Sequence, residues 1–169
     1  MVNSLDWKQN SNLEDSLIQF FREQIEGDSD GETLTAFFEG EQLPIQVRVG
    51  YANSDNWQLP VISLYEDSTQ NPRPFVGTTK IVPEILLIIE VRGKNDRMRS
   101  DIARWVRDTI NPGFPYYTYA PNPVTPNEPI ATLAGKANVR FLSDNVVRLQ
   151  NVDMIDQHRH RFSVSITIN

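Results

Sequence analysis

Five aliphatic residues in a row, Ile85-Leu86-Leu87-Ile88-Ile89, constrain this chain more than any other feature. The run is far too short to span a bilayer, which takes about 20 apolar residues in a helix. The wider segment Ile81–Val91 reads as a strand at the centre of a sheet, because a strand buried on both faces is continuously apolar rather than alternating. Gly93 follows, and Asn95-Asp96 can cap a helix running to about Ile110. In that helix Met98, Ile102, Trp105, Val106 and Ile110 share one face, and Asn111-Pro112-Gly113 stops it, since a proline cannot continue a helix.

Other segments supply partners for the central strand. Leu59–Tyr65 is the second strong strand candidate, and Leu34–Phe38 and Pro44–Val49 read as strands around Glu39-Gly40-Glu41. Ile45, Val47 and Val49 alternate with Gln46 and Arg48, so one face there is wet. Lys136–Leu142, Asn145–Leu149 and Arg161–Ile168 read as three more strands, with Ser143-Asp144-Asn145 as a tight connection. Ser11-Asn12-Leu13-Glu14 has the form of a capping box, which predicts a helix carrying Leu13, Leu17, Phe20 or Phe21, and Ile25 as its core stripe, ended near Gly27. The predicted fold class is α+β: one domain over 1–169, with a mostly antiparallel sheet and two helices packed on one face. That domain includes an N-terminal tail (1–11), a long loop (66–80) and a Pro/Tyr-rich arm (112–129). Five prolines between Phe114 and Pro129 exclude a central strand there, and Tyr116, Tyr117 and Tyr119 either pack over the core or meet a partner.

Composition narrows the chemistry. The 169 residues include no Cys, which removes disulfides, thiolate nucleophiles and Cys-ligated zinc. Sixteen Lys and Arg against 22 Asp and Glu leave a formal charge of −6, which argues against a chain that grips nucleic acid over its whole surface. The N-terminus lacks a basic start followed by an apolar run, so a soluble, cytoplasmic protein is expected. His158 and His160 would share one face of a strand, with Asp153 or Asp156 as conceivable further ligands, but Arg159 and Arg161 beside them oppose a cation. Asp28-Ser29-Asp30 lacks the spaced oxygens and distal Glu of a calcium loop. Carboxylates for acid–base work would come from Glu84, Glu90 and Asp101, which in an acidic chain are more often solvated or paired with arginine. With no Gly-x-Ser-x-Gly elbow and no phosphate-cradling glycine pattern, no catalytic residue, cofactor or metal is expected.

The helix Leu13–Ile25, the strand "PVISLYED" (Pro60–Asp67), the loop after it and "EILLIIEVRGKNDRMRSDIARWVRDTI" (Glu84–Ile110) together resemble the tail terminator and tail-to-head joining proteins of long-tailed bacteriophages. The resemblance covers residues 13–110 and rests on the order of parts, with no catalytic signature. It implies a structural virion protein, not an enzyme, that forms a ring, usually of six copies. Such a ring caps the tail tube at the neck, docks the head connector or stopper, and lets DNA pass without specific binding or any membrane contact. It would be found in the virion and, during assembly, in the host cytoplasm. The expected contacts are Arg97, Arg99, Arg104 and Arg107 on the second helix, Arg73 and Phe75 in the long loop, and Tyr116, Tyr117 and Tyr119 in the arm, a segment that departs from the family's short form and is expected to reach a neighbour because of its length and aromatic rings. The alternatives are another neck or baseplate component, or a nucleic-acid-associated factor using the same arginine face.

Overall fold

A computed structural model describes residues 6–26, 35–38, 41–50, 58–67, 84–125, 129–148 and 158–169. The elements are α1 (Asp6–Glu26), β1 (Thr35–Phe38), β2 (Glu41–Pro44), β3 (Gln46–Val49), β4 (Val61–Glu66), β5 (Glu84–Arg92), α2 (Asp96–Ile110), β6 (Phe114–Ala120), β7 (Ile130–Arg148) and β8 (His158–Ile168). This is the expected α+β class: β1 and β2 form a small antiparallel pair, and the main sheet has the order β3-β4-β5-β8-β7-β6. Every neighbouring pair in it is antiparallel except β3–β4.

The apolar run does form an inner strand, with β4 on one side and β8 on the other. Ile85, Leu87, Ile89 and Val91 turn to the helices, where they join Ile62 and Leu64 of β4, Phe162, Val164 and Ile166 of β8, and the stripes of both helices in one core. On α1 that stripe is Leu13, Leu17, Phe21 and Ile25, all essentially buried, at four-residue spacing. Phe20 stacks instead on Phe114, with ring centroids 5.9 Å apart. On α2, Asn95 caps as expected: its side chain accepts from the Met98 amide at 2.8 Å.

Two details of α1 matter for the sheet. Glu14 accepts a backbone hydrogen bond from Glu66 at the end of β4, while Ser16, on the opposite flank of the helix, meets Tyr117 of β6. In a flat sheet those strands, four spacings apart, would lie about 19 Å from each other. An α-helix is only about 10–12 Å across, so the sheet curls about α1.

The structure corrects several sequence expectations. α1 begins at Asp6, so Ser11-Asn12-Leu13-Glu14 lies inside the helix; no Gly or Pro interrupts Asp6–Glu26, and the cap-like motif is overridden. The Pro44–Val49 strand is divided at Ile45 between two sheets. Ser143-Asp144-Asn145 is not a turn: β7 runs unbroken from Ile130 to Arg148, with only a register shift between Phe141 and Ser143. β8 pairs along its whole length, and those ladder bonds outweigh local turn preference. The first half of the arm is an edge strand, β6, paired with Ile130–Ala137. Gly27, Asp28–Asp30, Arg73, Phe75, Asp153 and Asp156 lie outside the described residues.

Candidate interaction surface

Alternation along β5 sends Glu90 to the sheet face opposite the helices, with Ser63 opposite it on β4 and Arg161 on β8. Glu90 is fully buried. It accepts from Tyr65 Oη at 2.9 Å, Arg161 Nε at 2.7 Å and Arg159 Nη1 at 3.1 Å. Burial, reinforced by the Glu90 carboxylate and the hydrogen bond to it, pushes the Tyr65 hydroxyl well above its usual range. Ser63 Oγ is buried with no hydrogen-bond partner among the described residues. The carboxylate is thus locked in a structural network. Glu84 bonds Ser165 on the same face, but six residues of strand place it about 20 Å from Glu90. An acid–base pair of glycosidase type needs about 5–10 Å. Asp101 is on α2 and pairs with exposed Arg97 at 4.0 Å, so the three candidate carboxylates do not converge.

The histidines alternate with the arginines as predicted, and His160 bonds Asp144 of β7 and lies against Phe162. Arg107 of α2 takes the other oxygen of Asp144 at 2.9 Å and covers Phe141. Among the described residues no three His, Asp or Glu side chains group as metal ligands.

The arginine face of α2 is smaller than the sequence suggested. Arg97 and Arg104 are exposed and Arg107 bridges to β7, but Arg99 is buried and pairs with Asp96. At about 100° per residue, position 99 falls among Ile102, Val106 and Ile110, not with 97 and 104. The signal was present in the spacing, and the charge concealed it.

Tyr116 packs into the core, which removes it from any partner-binding set. The Tyr117 amide donates to Ser16 Oγ at 2.9 Å and Tyr119 Oη donates to Gln19 Oε1 at 2.8 Å. Burial raises the Tyr119 hydroxyl above its ordinary range. Together with Pro115, which has no amide hydrogen, the Ser16 bond closes the outer edge of β6. A groove of about 440 Å³ remains between α1 and Pro129, lined by Asp15, Gln19, Arg22, Glu23 and Tyr119.

Apart from Val124, the exposed large apolar side chains lie elsewhere, on strands that the sequence did not mark as partner surfaces. β7 carries Ile130, Leu133, Leu142 and Val146, the last 54% exposed, and Val49 ends β3 at 49%. Scattered exposed aliphatics are ordinary, but Leu142 and Val146 fall together on the stretch of β7 that β6 does not cover. No helix of the described residues is long and apolar enough to cross a membrane. No protein-family model matches the chain, and no curated protein matches it.

Proposed function

We propose that this chain is a structural component of a long-tailed phage virion, which assembles as a ring at the neck end of the tail, caps the tail tube and joins it to the head connector. The observation that carries the reading is a division of labour among the described residues. The acid and base groups Glu90, Arg159, Arg161, Asp144 and His160 are engaged in ion pairs, while the exposed large aliphatics other than Val124 lie on β7 and β3. A surface of that kind supports assembly more readily than turnover. The segment behind the resemblance also adds support: Glu84–Ile110 folds as β5, a turn at Gly93 and α2 against the sheet. An acidic chain suits a channel through which DNA slides without sticking.

The nucleic-acid reading is weakened by the burial of Arg99 and by the pairing of Arg107 with Asp144 and of Arg97 with Asp101. The test is light scattering and negative-stain imaging of the purified protein, alone and with tail-tube subunits, beside a salt-titrated DNA-binding assay. The proposal expects rings, attachment to tube ends and DNA affinity with almost no salt dependence. A monomer that ignores tube subunits and loses DNA affinity steeply with salt would replace it with the nucleic-acid factor.

A further inference from the structure

Among the described residues the main sheet has two unlike open edges. β6 covers β7 only as far as Ala137, because Gly113 and α2 carry the preceding chain away from the sheet. From Val139 to Arg148, β7 therefore pairs with β8 on one side, and no strand lies on the other among the described residues. At the far end, among the described residues, β3 pairs with β4 alone. Exposed edges present rows of unpaired amides and carbonyls, which natural proteins blunt or use. β6 is blunted by Pro115 and Ser16. The open stretches of β7 and β3 contain no proline, and they bear the exposed Leu142, Val146 and Val49.

We infer that these two edges meet between copies of this chain, Val139–Arg148 of β7 in one copy against Gln46–Val49 of β3 in the next, continuing the sheet from subunit to subunit. Side-chain facing agrees with this. Val49 lies across β4 from the core residue Leu64, and Val146 lies across β8 from His160, so both aliphatics are on the helix-bearing face. A register setting Val49 beside Val146 brings the two together and opposes Arg48 to Val147 if antiparallel or to Asn145 if parallel, with no like charges directly across. Pairing β7 with a second β7 would leave β3 open, and both oxygens of Asp144 are already held by His160 and Arg107. Joining unlike edges covers both and repeats head to tail, the type of contact that closes into rings. The inference rests on the self-assembly part of the proposed function and assigns the contact to a surface outside the α2 face and the arm.

The absence of cysteine makes the test direct. Val49→Cys and Val146→Cys are made singly and together in the full chain, oxidised, and run on non-reducing gels. Because the sheet curls, the two single variants are also mixed, and in that mixture a disulfide between positions 49 and 146 can form only between copies. The inference expects a ladder of linked copies from the double variant and no more than traces from either single one. Dimers from Val146→Cys alone would overturn it in favour of two-fold β7 pairing, and an unlinked double variant would overturn it outright. Val146→Lys, an exposed change that leaves the thermal midpoint in place, is expected to weaken self-association about tenfold or more in light scattering; unchanged association would count against the β7 edge. Rings that form through these edges but ignore tail-tube subunits would remove the neck assignment and leave this contact standing.

Discussion

Replacing Glu90 with Gln tests the account of the sheet's second face most sharply. The carboxylate is fully buried, with Oε1 accepting from Tyr65 and Arg161 and Oε2 accepting from Arg159. Gln matches its shape but offers one acceptor. With the carbonyl toward Tyr65 and Arg161, the new amide meets the Arg159 donor head on; turned the other way, it meets two donors. Arg159 is 8% exposed in its side chain and Arg161 is 28%, so water relieves the second far better than the first. Removing one partner of a buried ion pair costs about 3–5 kcal/mol. Because Gln retains part of the bonding, about 3 kcal/mol is expected, a fall of roughly 6–12 °C in thermal midpoint for a chain of this size. Urea unfolding followed by circular dichroism reads the difference. Arg159→Met should cost more than Arg161→Met in the same assay. A Glu90→Gln loss below about 1 kcal/mol, or the reverse order of the arginines, would mean that the buried network is not what holds this face.

Gly113 has a φ of +82°, and an added Cβ would overlap the Ala137 carbonyl oxygen, whereas Gly50, with a φ of +106°, has open space around it. Gly113→Ala should therefore cost about 2–3 kcal/mol and Gly50→Ala only about 1–2, the left-handed backbone alone; equal midpoint shifts in thermal unfolding would refute the close approach of β6 to β7. Burial, aided by the Glu66 and Asp15 carboxylates, raises Glu14 above its ordinary 4.5 despite the backbone bond from Glu66. The folded state therefore holds this proton more tightly than the unfolded chain, and the associated stability, present below about 4.5, is lost as pH rises through the folded value. Glu14→Gln keeps an acceptor for that amide, so it should flatten this loss and leave the variant the more stable at pH 7, as read by urea midpoints at pH 4 and pH 7.

How legible the molecule was depends on which interactions decide each element. The central strand, the cap at Asn95, the stop at Pro112-Gly113 and the four-residue stripe of α1 follow from near-neighbour chemistry, and they stand where the sequence put them. Arg99 was misplaced because its charge was read before its angle around the helix. The alternation of His158 and His160 with Arg159 and Arg161 was visible in the sequence, but nothing local indicated that both arginines would converge on Glu90, about 70 residues earlier in the chain.

What the sequence by itself determined was the set of elements whose stability is local: periodicity, caps, breakers and the exclusion of thiol chemistry. Only the tertiary structure decided that Ser143-Asp144-Asn145 runs on as strand, that half of the arm is the edge of the sheet, and that β6 covers β7 only as far as Ala137. Those outcomes depend on ladder bonds and packing between residues far apart in the chain. Such contacts outweigh turn and proline preferences of a kcal/mol or so, and no local pattern in a single sequence encodes them.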